Sequence, residues 1–495
     1  MQSFDLVVIG SGPAGQRAAV QAAKLGKSVA VVEKSGDLGG VCTNTGTIPS
    51  KTLREAVLDL SGLRQRHLYG DSYRAHAEVR VADLFHRTGH VMKRERDVIR
   101  AQLSRNGVRL FEGRGRFSGP HEVLIELGGD TTRTHRLEAE FVAVAVGTTP
   151  GVPAGIAVDH KSVLTSDDIL SLDRLPKTMT VVGAGVIGIE YATIFAALGV
   201  DVTLMDKRTE ILDMVDREIV EALTYQAREM GLTMRLGEEV ARLEPGAAGG
   251  RTVVVTKSGK RIVTDLVMVS AGRQGATESL GLDKAGLAAD ARGRLTVNAQ
   301  YQTSVPHIYA VGDVIGFPSL ASTSSEQGRL AACHMFNLAA CSVPALFPYG
   351  IYAIPEVAWV GQSEAELTAK GVPFETGISR YKEIARGQIL GDTSGMLKIV
   401  FHLDTRKILG VWVLGTQATE LVHIGQTVMA FDGTIDYFES AVFNYPTLAE
   451  CYKVAALDGC NKLRELAASR GPAAAAAAPA PPANALPVAP SATPK

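Results

Sequence analysis

Residues 5–33 read DLVVIGSGPAGQRAAVQAAKLGKSVAVVE, and residues 178–206 read TMTVVGAGVIGIEYATIFAALGVDVTLMD. Each is an apolar strand, a Gly-x-Gly-x-x-Gly turn, an Ala-rich helix, a second apolar strand and a closing acid. The glycines are Gly10, Gly12 and Gly15 in the first copy, and Gly183, Gly185 and Gly188 in the second. The acids, Glu33 and Asp206, both follow the last glycine by 18 residues (15 to 33, 188 to 206). One such turn is weak evidence. Two, with matched spacing to an acid, predict two dinucleotide-binding units and an α/β, Rossmann-like fold. Absent side chains let a pyrophosphate reach the backbone at a helix N-terminus, and the acid accepts hydrogen bonds from a ribose.

Outward from these copies the pattern changes several times. Residues 49–105 read as mostly helical, with Pro49 suited to a first helical turn, and residues 108–147 alternate as strands do. Leu175-Pro176 breaks the chain before the second copy, and residues 252–270 read as strands again. From about 350 to 443 strand-like and helical stretches alternate, which suits a separate α+β domain. From Gly471 the chain is Ala/Pro-rich and almost uncharged, and reads as a disordered tail.

Composition excludes several classes. The 495 residues carry 51 basic and 52 acidic side chains and are 46 % hydrophobic. A net charge of −1 gives no basic excess for nucleic acid or an anionic membrane. The five cysteines (42, 333, 341, 451, 460) contain no CxxC pair and form no disulfide framework. No metal spacing of His, Cys and carboxylates is found, so no metal is expected. The apolar stretch Val181–Val200 holds Gly183, Gly185, Gly188 and Glu190, and is better read as strand–turn–helix than as a membrane span. No targeting segment is read at the N-terminus, and the expected location is cytoplasmic.

Residues 41–51, Val-Cys-Thr-Asn-Thr-Gly-Thr-Ile-Pro-Ser-Lys, follow the first glycine unit. Together with the two glycine units they resemble the FAD-dependent pyridine nucleotide–disulfide oxidoreductases, over nearly all of residues 4–465. The resemblance implies FAD at Gly10, Gly12, Gly15, Glu33, Lys51, Gly147 and Asp313. Asp313 closes the run Thr303-Ser-Val-Pro-His-Ile-Tyr-Ala-Val-Gly-Asp313, similar to the family's second FAD signature. It implies a nicotinamide nucleotide at Gly183, Gly185, Gly188, Asp206, Lys207, Arg208 and Gly272. Gly272-Arg273 resembles the turn joining the two nucleotide domains. Lys51 and Glu190 match a pair set beside the flavin N5; from position alone they would be two unrelated helix charges. The implied domains are 1–150 with 275–345 for FAD, 151–274 for NAD(P), 346–470 for a C-terminal interface, and 471–495 as tail. A homodimer or higher homo-oligomer is implied too.

The chain departs from that family twice. In the disulfide loop a second cysteine would stand five residues after Cys42; here it is Thr47. A hydroxyl cannot exchange disulfides, because that chemistry needs a thiolate attacking sulfur. Near the C-terminus, where a proton-shuttling histidine would stand, the sequence is Asn-Tyr-Pro-Thr with Tyr445. A phenol of pKa near ~10 is a poor general base at neutral pH. Both departures resemble the soluble pyridine nucleotide transhydrogenase branch. The expected function is therefore FAD-dependent hydride transfer between NADPH and NAD⁺. The alternatives are an NAD(P)H dehydrogenase reducing a quinone or dye, and a dihydrolipoamide-dehydrogenase-like reductase, which Thr47 and Tyr445 disfavour. Asp206 favours the 2′-hydroxyl of NAD, and Lys207-Arg208 can offset it toward the 2′-phosphate of NADP. Cys42 is either a packed remnant or a lone thiol able to cycle through sulfenic acid.

Overall fold

The structure is a computed structural model that describes residues 2–63, 68–69, 79–128, 130–246, 250–340 and 346–469. The expected tail, 471–495, lies outside the described residues. The chain divides into two compact units. The first comprises residues 1–61, 76–209 and 233–344; the second comprises 62–75, 210–232 and 345–495.

The first unit contains the two expected nucleotide sheets. One has strand order Arg109–Glu112, Val29–Glu33, Gln2–Ile9, Asp130–Val144, Glu122–Leu127, Arg114–Gly119, with Ile308–Ala310 also pairing Asp130–Val144. Gln2–Ile9 lies parallel between Val29–Glu33 and Asp130–Val144. Its burial is what a strand covered on both faces requires: Leu6, Val7, Val8 and Ile9 are all buried. The other sheet has five parallel strands in the order Thr233–Leu236, Asp201–Asp206, Thr178–Val182, Leu266–Val269, Val163–Thr165. In both sheets the glycine turn follows a central strand, where parallel α/β sheets place their ligands.

Helix Pro13–Lys24 begins at Pro13, a residue suited to the first turn, after Gly12 in extended conformation. Helix Val186–Ala197 begins in the same way after Gly185. At 12 residues it is too short to span a bilayer, and no helix among the described residues is long and apolar enough to do so. A two-stranded ribbon, Thr148–Pro150 with Arg273–Gly275, links the segments flanking the second sheet.

The second unit is an antiparallel five-stranded sheet, ordered Tyr349–Ile351, Val357–Gly361, Ile408–Leu414, Met396–His402, Phe374–Arg380. It carries helices Ala418–Ala430 and Glu450–Ser469, as the α+β reading expects. Helix Arg217–Glu229 also belongs to this unit, although the expected NAD(P) stretch, 151–274, runs through it.

Candidate functional site: a dinucleotide cavity and a second glycine turn

Both glycine turns are held by the acid that ends the next strand. Glu33 Oε2 accepts the backbone N–H of Ser11 at 3.0 Å and its hydroxyl at 2.5 Å. Asp206 Oδ2 accepts the N–H of Ala184 at 2.8 Å. Ser11 and Ala184 are each the residue after the first glycine of their turn. Gly10 and Gly183 take φ of +105° and +107°, and a Cβ at either would overlap the backbone of the neighbouring strand. A Cβ on Gly12 or Gly185 would meet nothing within 4 Å. The middle glycine of each turn therefore faces open space, as a backbone approached by a ligand must.

Around the first turn lies a cavity of about 1120 Å³, lined by Gly10, Gly12, Glu33, Cys42, Thr47, Gly147 and Asp313 among others. That is slightly above the roughly 300–1,000 Å³ of ordinary small-molecule pockets. Two buried oxygens in its wall, Asn44 Oδ1 and Thr45 Oγ1, have no hydrogen-bond partner among the described residues. Orphaned polar atoms beside a cradle without side chains suit a large polar ligand, so these residues fit FAD. Burial pushes the Asp313 carboxyl up, against the opposing charge of Arg273 and a hydrogen bond from Ser324. Sequence reasoning missed Asn44 and Thr45, whose only signal is their position beside Cys42.

Cys42 and Thr47 stand together in this wall. Burial pushes the Cys42 thiol up, opposed by a hydrogen bond with Thr47. A raised thiol is a weak nucleophile, so the local setting does not prepare Cys42 for exchange. Thr47 opens helix Thr47–Ser61. One turn later Lys51 Nζ donates to Glu190 Oε1 and Oε2 at 2.9 and 2.8 Å. Glu190 is nearly fully buried, and Lys51 retains 24 % of its side-chain exposure. Beside Glu190, burial drives the Tyr191 phenol far above its ordinary range, and its hydroxyl has no hydrogen-bond partner among the described residues.

At the second turn, Arg208 folds back on Asp206. Its Nε donates to Oδ1 at 3.1 Å, its Nη2 to Oδ2 at 2.9 Å and its backbone N–H to Oδ1 at 2.9 Å. Burial alone would raise the Asp206 carboxyl; the bonds from Arg208 and Ala184 outweigh it and hold the pKa below the usual range. Lys207 is the smallest of the influences that lower the exposed Glu239 carboxyl, well after its ion-pair partner Lys257. Gly272, at φ +104°, precedes the ribbon strand. Its neighbour Arg273 bonds Thr148 Oγ1 at 2.8 Å and Asp167 Oδ1 at 3.0 Å.

Tyr445 lies in the second unit, 67 % exposed, between helices Ile435–Ser440 and Glu450–Ser469. That unit also contains a cluster invisible in the sequence. The fully buried Lys398 ammonium meets Asp216 Oδ1 at 3.0 Å, Glu218 Oε2 at 3.1 Å and Glu364. These three carboxylates approach closely enough to hold a metal, but a lysine sits among them.

Residues 4–328 match the pyridine nucleotide-disulphide oxidoreductase family, and residues 347–456 match its dimerisation domain. A soluble pyridine nucleotide transhydrogenase of Mycobacterium bovis is 55 % identical over 94 % of this chain and 99 % of its own length. A protein of the same name from Photorhabdus laumondii is 44 % identical over 93 % of this chain and 99 % of its own. Among solved structures, LpdA of Mycobacterium tuberculosis is similar with a TM-score of 0.83 at 26 % identity, covering 92 % of this chain and 99 % of that one. The copper complex of the flavoprotein disulfide reductase RclA from Escherichia coli has the same TM-score at 25 % identity, over 92 % of this chain and 99 % of its own.

Proposed function

The chain belongs to the pyridine nucleotide-disulphide oxidoreductases, and on that premise we propose that it transfers hydride between NADPH and NAD⁺ with FAD as resident cofactor. The observation that carries this reading is Thr47 beside Cys42 in the cavity wall. The family's sulfur route lacks its second sulfur, while the nucleotide machinery is intact. The names of the relatives agree with it and do not favour a quinone or dye as acceptor.

Gly10, Gly12, Gly15, Glu33, Gly147 and Asp313 would hold FAD, which supplies a two-electron hydride acceptor and donor. The chain's own part is binding, orientation and electrostatics. The N-terminus of helix Pro13–Lys24 offers backbone N–H groups to a pyrophosphate. Glu33, already ordered by Ser11, offers its remaining lone pairs to a ribose. Lys51, fixed by both oxygens of Glu190, gives a preorganised positive charge where negative charge develops during transfer. Gly183, Gly185, Gly188, Asp206, Lys207, Arg208 and Gly272 form the nicotinamide nucleotide site. One such site serves donor and acceptor in turn.

In domain terms this assigns 1–150 and 275–345 to FAD, 151–274 to NAD(P) and 346–470 to an interface between copies. A match to the dimerisation domain supports a homo-oligomer, and we read it as a homodimer or larger, acting in the cytoplasm. The test is anaerobic. The FAD-loaded protein is bleached with NADPH, separated from excess nucleotide and given thio-NAD⁺. Formation of reduced thio-NAD with return of the yellow colour is expected. Bleaching with no such product would overturn the reading.

A further inference from the structure

The two nucleotide sites differ in one respect. The Glu33 carboxylate is bonded to Ser11, and among the described residues it has no ion pair. The matching Asp206 carries Arg208 across it as a two-pronged fork. A bare acid at this place selects for a ribose 2′-hydroxyl and repels a 2′-phosphate of charge about −1.5 to −2. A carboxylate already paired with a guanidinium presents almost no net charge.

We propose that the Asp206–Arg208 pair is a two-position selector that lets one adenosine-ribose pocket take both NADPH and NAD⁺. This rests on the transhydrogenase reading above. The four donors now on Asp206 (the Ala184 N–H, the Arg208 N–H, Nε and Nη2) fill about the four lone-pair sites of a carboxylate. A ribose hydroxyl must displace the fork to reach the acid, and a 2′-phosphate must draw the fork toward itself. Both movements start from the same pair. Arg208 suits them, because its side chain is 46 % exposed while Asp206 is fixed at 8 %. The backbone donors Ala184 and Arg208 hold the acid in place when the fork leaves. The guanidinium fork is also the geometry that binds phosphate bidentately, which an ammonium cannot reproduce.

Calorimetric titration of the FAD-loaded protein with two redox-inert fragments, 2′-phospho-ADP-ribose and ADP-ribose, tests this without turnover. Arg208→Ala should weaken the phosphorylated fragment about 10- to 100-fold, the effect of one charge-assisted bidentate contact, and the other fragment far less. Arg208→Lys should fall between. Asp206→Asn should move the ratio the opposite way, favouring the phosphorylated fragment. The double variant Asp206→Asn/Arg208→Ala, which leaves no unpaired charge, should recover part of the Arg208→Ala loss. Flavin absorbance and the melting curve report folding of each variant. Equal weakening of both fragments by Arg208→Ala, or a double variant no better than Arg208→Ala, would overturn the selector. Hydride transfer from NADPH to thio-NAD⁺ by the unaltered protein is scored apart. Its absence removes the functional reading, whereas an unmoved fragment ratio with transfer intact removes only the role of Arg208.

Discussion

Lys51 and Glu190, 139 positions apart, meet at 2.8 Å as a bidentate ion pair whose acid is almost wholly buried. The pair ties helix Thr47–Ser61 to helix Val186–Ala197, the two helices that follow the disulfide-like loop and the second glycine turn. Lys51→Met should slow bleaching by saturating NADPH about 10- to 100-fold in stopped flow, through loss of an oriented charge. Glu190→Gln, which keeps a hydrogen bond to Lys51, should be milder. Wild-type rates in Lys51→Met would leave the pair a purely structural tie.

The glycine turns separate a cofactor effect from a folding effect. Gly12→Val projects a side chain into open space and should give a folded but colourless protein. Gly15→Ala places a methyl against the carbonyl of Gly10 and should lower the melting temperature. Retention of flavin by Gly12→Val would remove the cavity from consideration as the FAD site.

Thr47→Cys restores a second sulfur next to Cys42. Two fewer titratable thiols should be found in the denatured, unreduced variant, recoverable with dithiothreitol. Turnover of lipoamide should stay negligible, because the family's histidine is still replaced by Tyr445 and burial raises the Cys42 thiol. Efficient lipoamide reduction would show that Thr47 alone had closed the sulfur route.

Lys398 neutralises part of a cluster of three carboxylates, of which only Asp216 is buried. Lys398→Met leaves Asp216 buried without its cation and should cost about 3–5 kcal/mol, read as a lower denaturant midpoint. Adding Asp216→Asn should restore part of that loss. No change in midpoint would mean that the cluster is neutralised by other means.

Alkaline pH should weaken the second unit through Cys451. Burial raises this thiol to about 12, whereas an unfolded thiol titrates near ~8.5. Between those values the folded chain keeps a proton the unfolded chain has released. Stability is therefore full below ~8.5 and falls as pH rises, by up to about 1.4 kcal/mol per unit. Cys451→Ala should flatten the decline of melting temperature with pH; an unchanged slope would place the alkaline sensitivity elsewhere.

Much of this architecture was readable because it is local. A glycine turn, its helix and its acid lie within 29 residues (5 to 33, 178 to 206), and their spacing carries the fold. The second task of Glu33 and Asp206, holding the N–H of Ser11 and Ala184, was not readable, since backbone donors leave no mark in sequence. Lys51 and Glu190 were paired only through resemblance, because no periodicity links positions so far apart. Lys207 and Arg208 look equivalent as adjacent cations; side-chain direction, which sequence does not give, turns Arg208 onto Asp206. Lys398 sits in Met-Leu-Lys-Ile-Val-Phe-His, where an alternating pattern would send it to solvent. The strand is instead covered on both faces, and the acids that make this tolerable come from distant segments.

Helix Arg217–Glu229 and the acids at its start belong with the C-terminal sheet. A chimera that exchanged only the part beyond residue 345 would strand the transplanted Lys398 without its own Asp216 and Glu218. Grafting this module between homologues therefore means moving residues 62–75 and 210–232 alongside the C-terminal portion.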